Sequence, residues 1–266
     1  MDRTWESVAR HPHPSGYLDA LVARQKRDVH LQLVRRWTAG LNPQTVLKTD
    51  LFEEAFGEDR LLVDLAPGAK HAVGIDIAAT TVAAARSKVS APGFSFLVSD
   101  ARALALRSGG FDLVFSNSTL DHFATRAELR AALGELIRVV RPSGLFIVTL
   151  DNPWNPLYPL LRWATRLKRA PYPLGCTASR RELNRSLEEL GMEVIGNEWL
   201  VHNPRLLSTA LFLALRKVLG RAADGPIGTL LRLFAFGGRL PTAPFTACFV
   251  AACARKPGAG AKEGAA

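Results

Sequence analysis

The sequence predicts an α/β protein with a doubly wound, mostly parallel sheet of seven strands (Rossmann-like) and helical cap insertions. Three observations predict it. Short apolar runs alternate with helical stretches from residue 46 to residue 150, which implies right-handed crossovers between parallel strands. Several of these runs are almost continuously apolar, as strands covered on both faces must be. Two more apolar runs, 192–201 and 245–254, bring the strand count to seven.

At the N-terminus, residues 1–16 carry two His-Pro pairs and Ser15-Gly16 and read as a loose lead-in. Leu18, Val22, Val29, Leu33 and Trp37 then recur at steps of four and seven, which places one apolar stripe on a helix. Gly40 and Pro43 end it. Residues 46–50 form a strand and 51–65 a helix stopped by Pro67-Gly68. The second strand is 72–76, followed by an alanine-rich helix over 80–89; the third is 94–99 and the fourth 111–115. Thr125 and Glu128 have the spacing of a capping box ahead of Leu129, Leu133, Leu136, Ile137 and Val140. That helix ends at 141–144, and 145–150 is the fifth strand. Ser179 and Glu182 form a second capping box. These elements divide into an N-terminal helical segment (1–45), an α/β domain (46–256) with caps inserted at 151–178 and 204–241, and a flexible tail (257–266).

Composition narrows the function classes. Of 266 residues, 48% are hydrophobic and 22% charged, a globular balance. No apolar run approaches the roughly 18 residues of a spanning helix. The mixed N-terminus does not read as a secretory signal, and the expected location is cytoplasmic, with a peripheral membrane position left open. Cys176, Cys248 and Cys253 are too few for a disulfide framework and read as packing residues. His11, His13, His30, His71 and His202 show no metal spacing, so no metal is expected. The net charge of +10 is concentrated at 24–36, 162–169 and 205–221, interleaved with large apolar residues. Such surfaces suit anionic lipid headgroups, nucleic acid or an acidic substrate.

Ligands of doubly wound sheets sit beyond the carboxyl ends of the strands. Asp76, at the end of strand two, is placed to accept from ribose hydroxyls; alternatively it caps the following helix. Asp100, after strand three, can accept from an exocyclic adenine amine, or can start a turn. Gly74-Ile75-Asp76-Ile77, Ser99-Asp100-Ala101, Phe111-Asp112-Leu113-Val114-Phe115 and Arg141-Pro142-Ser143-Gly144-Leu145 stand in order at suitable spacing. Together they resemble successive motifs of class I S-adenosylmethionine-dependent methyltransferases. The resemblance implies S-adenosylmethionine as cofactor, with Asp76 and the adjoining Ile77 at the ribose, Asp100 and Ala101 at the adenine, and Asn117 at the methionine end.

The sequence departs from that family after strand one. Lys48 stands where the family has an acid, and no glycine follows until Gly57, although glycine is what lets backbone approach a ligand closely. In one reading Thr49 and Asp50 supply the polar contacts, and Asp50 or Glu53 binds the cofactor's cationic amino group. In the other the site is degenerate and holds no cofactor.

His122 is the candidate general base, with Asp121 beside it to orient or tune a base. The alternative is that His122 packs beneath a lid, because methyl transfer often needs positioning alone. The basic, apolar insertions fit a packed cap, a membrane-interface surface or a dimer face; no oligomeric state is specified. The expected activity is methyl transfer to a small hydrophobic or lipid-like acceptor, presented in one version at an anionic membrane surface. The alternatives are a non-catalytic domain that binds a partner or membrane, and a nucleic-acid methyltransferase. Against the last, strand four is followed by Asn117-Ser118-Thr119-Leu120 rather than an Asn-Pro-Pro-Tyr-like tetrad.

Overall fold

A computed structural model describes residues 3–10, 19–57, 60–89, 91–166 and 174–258. Residues 259–266 of the expected tail lie outside them, as do Leu18 of the first stripe and Leu167, Lys168 and Arg169 of the first insertion. Seven strands form one sheet: β1 (Thr45–Thr49), β2 (His71–Asp76), β3 (Phe94–Val98), β4 (Phe111–Asn117), β5 (Val140–Asp151), β6 (Glu193–Leu200) and β7 (Phe249–Arg255). Their spatial order is β3-β2-β1-β4-β5-β7-β6. All neighbours are parallel except β7, which runs antiparallel to both β5 and β6.

That one reversal places the caps. Leu200 and Asp151 both pair with Phe249, so β5 and β6 end at the edge where β7 begins. The chain between β5 and β6 and the chain between β6 and β7 therefore both leave from the carboxyl edge, the ligand-bearing edge of such sheets.

Helices cover both faces. On one lie α2 (Ala20–Trp37), α4 (Leu61–Leu65) and α5 (Ala79–Lys88), whose Leu33, Leu62 and Ala85 are fully buried with Val46, Leu113 and Phe115 of the sheet. His30 is enclosed there between Phe115 and Phe249. Its Nδ1 lies 2.7 Å from the Lys26 carbonyl oxygen, and burial drops its pKa to about 3, so it is a neutral core residue. On the other face α6 (Arg126–Val139) and α8 (Arg180–Glu189) pack Leu133, Leu136, Leu183 and Leu187 against Phe146, Val148 and Val250. Both capping boxes form in full, Thr125 with Glu128 and Ser179 with Glu182, so these two starts are specified locally.

Where the structure departs from the sequence pattern, tertiary contacts explain it. The described part of the lead-in is not loose: Arg3–Arg10 is a helix, α1, whose Glu6 accepts from Thr80 Oγ1 (2.5 Å) and Thr80 N (3.4 Å) on α5, and both His-Pro pairs lie outside the described residues. The expected helix over 51–65 is two short ones, α3 (Phe52–Phe56) and α4, parted at Gly57. Gly57 is extended (φ −84°, ψ −174°), and a Cβ there would lie 2.8 Å from the Glu53 carbonyl oxygen. The insertions hold α7 (Tyr158–Arg166), α9 (Arg205–Leu219) and α10 (Asp224–Phe236). A short α11 (Ala243–Thr246) occupies the expected start of the last strand. The caps are held to the body by Val22 of α2, buried with Phe212, Ile227 and Leu231. Arg216 adds a bridge, 2.5 Å from Asp19 and 2.5 Å from Asp224.

The strap directly ahead of α8, residues 174–179, lies hard against the turn after β4. Gly175 N donates to Asp121 O (2.8 Å) and Cys176 N to Phe123 O (2.7 Å), and a Cβ on Gly175 would sit 2.0 Å from Phe123 O. Gly175→Ala should therefore force backbone apart and cost about 1–3 kcal/mol, measurable as a lower urea midpoint; an unchanged midpoint would mean the strap is not seated this closely.

Candidate active site

The site is assembled from five strand ends. At β1, Lys48 is 2% exposed. Its Nζ donates to Glu54 Oε2 at 3.0 Å and to the Asp50 carbonyl oxygen, while Glu54 Oε1 accepts from Leu62 N at 3.0 Å. The lysine in the usual acidic position is thus the cation of a buried ion pair. Its partner is Glu54, a residue that the sequence pattern did not single out; Glu53 is half-buried with its carboxylate beside Gly57. Thr49 is buried, its hydroxyl 3.0 Å from Ser116 Oγ and 2.8 Å from Thr119 Oγ1, which ties the ends of β1 and β4. Asp50 adopts φ +65°, and its Oδ1 accepts from Phe52 N (2.8 Å). Leu51 is fully buried over Gly74, where a Cβ would lie 2.5 Å from Leu51 Cδ2. In this turn the close approach that glycine permits admits a leucine.

At β2, Asp76 Oδ2 accepts from Leu51 N (3.0 Å) and Oδ1 from Ala78 N (2.9 Å). Burial, then the Asp50 charge, push its pKa up to about 6 against the opposing pull of those amides and Lys48. Each oxygen keeps a second lone pair. Ile77 beside it is half-buried. After β3, burial raises Asp100, but hydrogen bonds from Arg102 outweigh it and hold the carboxyl below the ordinary range. Arg102 spans both oxygens, with Nε 3.0 Å from Oδ1 and Nη2 2.7 Å from Oδ2, and lies over the Phe123 ring. Ala101 is buried. At the end of β4, Asn117 is buried and its Oδ1 accepts from Thr149 Oγ1 (3.1 Å), a link between β4 and β5.

Past β4 the chain makes a single 3₁₀ turn, Leu120–His122, which sends its two candidates to different neighbours. The His122 ring meets Trp5 of α1 edge-on, centroids 4.8 Å apart. Asp121 is fully buried, its Oδ2 accepting from Ser118 Oγ (3.0 Å) and Asp151 N (2.7 Å). Burial, then the Asp151 charge, raise it to about 6. Asp151 ends β5, 1% exposed, with Oδ1 held by Arg205 Nη2; the Arg205 guanidinium lies 4.5 Å from the Phe249 ring centroid. The sequence pattern did not mark Asp151, Arg205 or Tyr158 as site residues. Asp151 carried the same signal as Asp76, an acid closing an apolar strand.

Residues 53–148 match the family model described as a methyltransferase domain. That stretch of the chain belongs to the family. Over 98 residues the chain is 41% identical to the demethylmenaquinone methyltransferase of Thermus thermophilus, an alignment covering 36% of this chain and 42% of that protein. The chain thus spans less than half the length of this relative. Among solved structures, the methyltransferase domain and its caps resemble a chain from the complex of the Haloferax volcanii Trm112 methyltransferase activator with a methyltransferase. The TM-score there is 0.63 at 16% identity, covering 95% of this chain and 97% of that one. They also resemble the N-methyltransferase NodS of Bradyrhizobium japonicum in complex with S-adenosylhomocysteine, with TM-score 0.58 at 15% identity, covering 96% and 100%. At such identities these two structures report the fold.

The buried pair gives this methyltransferase domain a measurable signature. Lys48→Met strands the Glu54 charge and should cost about 3–5 kcal/mol, whereas Lys48→Met with Glu54→Leu should recover most of it. Urea denaturation of the wild type and both variants decides; an additive double variant would mean that the two charges do not interact.

Proposed function

We propose that the protein transfers a methyl group from S-adenosylmethionine to a hydrophobic, lipid-like acceptor. The observation that carries the reading is the pair of carboxylates, Asp50 and Asp76, crowded at the ends of β1 and β2 so that one raises the other's proton affinity. A cation between them relieves that repulsion, and S-adenosylmethionine brings a sulfonium and an amino group. In this reading Asp76 takes the ribose hydroxyls, Asp50 and Thr49 face the methionine end with Asn117 behind them, Glu53 adds negative charge, and Ile77 and Ala101 flank the adenosine. Asp100 serves the adenine amine by giving up part of its hold on Arg102, whose backbone amide, Nε and Nη2 all donate to it. Bound there, the cofactor supplies an electrophilic methyl group. The chain's part is to orient it, to exclude water beneath α1 and the caps, and to position the acceptor near Asp121 and His122. The likeness to a methyltransferase whose name specifies a demethylmenaquinone supports an apolar acceptor.

The caps support the same class. Among the described residues, 13 of the 16 exposed large apolar side chains fall in the stretch from Trp154 to Phe245. Helix α9 has two apolar stripes. Phe212 and Leu215 face α2 and α10, while Leu207, Leu211 and Val218 share an outer face, Val218 being 80% exposed. Lys217, Arg221 and Arg232 are exposed elsewhere in the same insertion. This is the composition of a surface that rests on anionic lipid, and no helix among the described residues is long and apolar enough to cross a membrane. A second reading, a partner-binding domain without catalysis, is favoured by the leucine and ion pair that fill the turn after β1.

Calorimetry with S-adenosylmethionine separates the two. Binding should be detectable and weaken at least about tenfold in Asp76→Ala. It should also weaken as pH falls through about 6, because a cationic ligand favours the ionised carboxylate and a protonated Asp76 must first release its proton. Absence of heat would support the second reading, and an unaltered affinity in Asp76→Ala would remove the ribose assignment. Flotation tests the membrane: at low salt the protein should rise with vesicles containing phosphatidylglycerol and not with pure phosphatidylcholine, and Leu207→Ser with Val218→Ser should abolish it. A protein that stays in the soluble fraction throughout refutes the membrane role.

A further inference from the structure

Behind the turn after β4 the protein buries two acids that the cofactor reading does not use. Asp121 is fully enclosed and Asp151 is 1% exposed. Each keeps one carboxyl oxygen, Asp121 Oδ1 and Asp151 Oδ2, without a hydrogen-bond partner. Buried polar oxygens are almost always satisfied, so two neighbouring exceptions call for a common explanation. The acids are neighbours: Asp121 Oδ2 accepts from the Asp151 backbone amide at 2.7 Å, and the Asp151 charge acts on Asp121.

A bound molecule is not that explanation. The recess beneath α7 is lined by Tyr158 and Arg205 but by neither acid, and it holds no more than about one water. A proton needs no such room. Placed on one free oxygen and directed at the other, it makes the first a donor and leaves the second an acceptor, so both are satisfied. The surroundings decide which acid carries it. Asp151 is salt-bridged to Arg205, whereas Asp121 receives only neutral donors, Ser118 Oγ and the Asp151 amide. The proton therefore belongs on Asp121.

The strap ahead of α8 spans this pair. Gly175 N donates to the Asp121 carbonyl oxygen at 2.8 Å, and Thr177 Oγ1 donates to the Asp151 carbonyl oxygen. Between them Cys176 N holds the Phe123 carbonyl oxygen at 2.7 Å. Whatever parts residues 121 and 151 therefore pulls on the strap at two attachments.

We propose that Asp121 and Asp151 share one proton, Asp121 Oδ1 donating to Asp151 Oδ2, and that this proton is a catch holding the strap and the turn that carries His122 in place. When the proton is lost to water, two buried carboxylates repel each other and the strap is loosened; no other bond changes. His122 on the turn, Tyr158 and Arg162 on α7, Arg205 on α9 and Cys248 ahead of β7 are the other titratable or charged groups that bear on the pair. The direction follows from linkage. Burial, then the Asp151 charge, raise Asp121 from 3.8 to about 6 while the strap is seated. The catch is fully engaged below the ordinary carboxylate value and is released as pH rises through about 6. The inference rests on the methyl-transfer reading only for what the catch governs, the acceptor side of the site; the proton and the strap stand apart from it.

Hydrogen exchange of the Gly175 and Cys176 amides, corrected for the intrinsic rate at each pH, reads the opening of the strap. Asp121→Asn supplies a permanent hydrogen in place of the proton and has no charge to lose. Relative to that variant, wild-type exchange should rise about tenfold between about pH 5 and about pH 7. Parallel profiles in the two proteins overturn the proposal. So does a difference that extends equally to the amides of α6, because that reports global unfolding rather than the strap. A second arm does not need Asp121→Asn to fold. Carbon-13 spectra of aspartate-labelled Asp76→Asn, which lacks the other acid raised to about 6, should still show one carboxyl titrating at about 6. Ordinary titration of every aspartate there also overturns the proposal. Calorimetry with S-adenosylmethionine on the same samples keeps the two readings apart. Absence of heat refutes methyl transfer and leaves the catch standing, while strap amides indifferent to Asp121→Asn refute only the catch.

Discussion

The ion pair between Lys48 and Glu54 organises the ligand-bearing edge of this protein. A lysine inside an interior strand must find an anion or lose its charge, since an unpaired buried cation is very costly. Glu54 meets it at 3.0 Å and also receives Leu62 N, so one contact sets both α3 against β1 and the start of α4. Lys48 also donates to the Asp50 carbonyl oxygen, and the next amide, Leu51 N, is directed at Asp76. Two buried charges do here what a glycine-rich turn does by backbone freedom. Such a pair adds little stability relative to two apolar residues of the same size. What it contributes is one geometry for the turn.

That turn sets the electrostatics of the edge. β1 and β4 are neighbours where the strand order reverses, and the hydroxyls of Thr49, Ser116 and Thr119 tie their ends together. On one side of this tie Asp50 and Asp76 crowd each other, and on the other Asp121 and Asp151 do. In each pair one carboxyl is raised to about 6. The pairs differ in what neutralises them: Lys48 pulls on the first, and Arg205 is salt-bridged within the second. Carboxyls held near neutrality at a strand edge suit a site that takes up a cation or a proton.

The caps show how a basic, apolar stretch divides its labour. Arg216 reads as one more surface cation, yet it is committed to Asp19 and Asp224 and fastens α9 to α2 and α10. Phe212 and Leu231 bury the inner stripe, and Leu207 and Val218 remain outside. Both caps spring from the carboxyl edge because β7 runs antiparallel between two strands that end there.

The sequence by itself determined the α/β alternation, the two capped helix starts and the acids at strand ends, because each is encoded within a few neighbouring residues. Thr125 with Glu128 closes a helix start locally, and an acid after an apolar strand lands at the ligand edge whatever the rest of the chain does. Only the tertiary structure decided what those acids face. Asp100 is spanned by Arg102, Asn117 is turned to Thr149, and Asp121 hydrogen-bonds to Ser118 and the Asp151 amide. It decided that residues 3–10 are helical, since Glu6 needs Thr80, 74 positions away, to anchor them. It also decided that Lys48 is a structural cation and that its anion is Glu54 rather than Glu53. Both glutamates lie within one turn of α3, and only the direction that turn faces selects which carboxylate reaches β1.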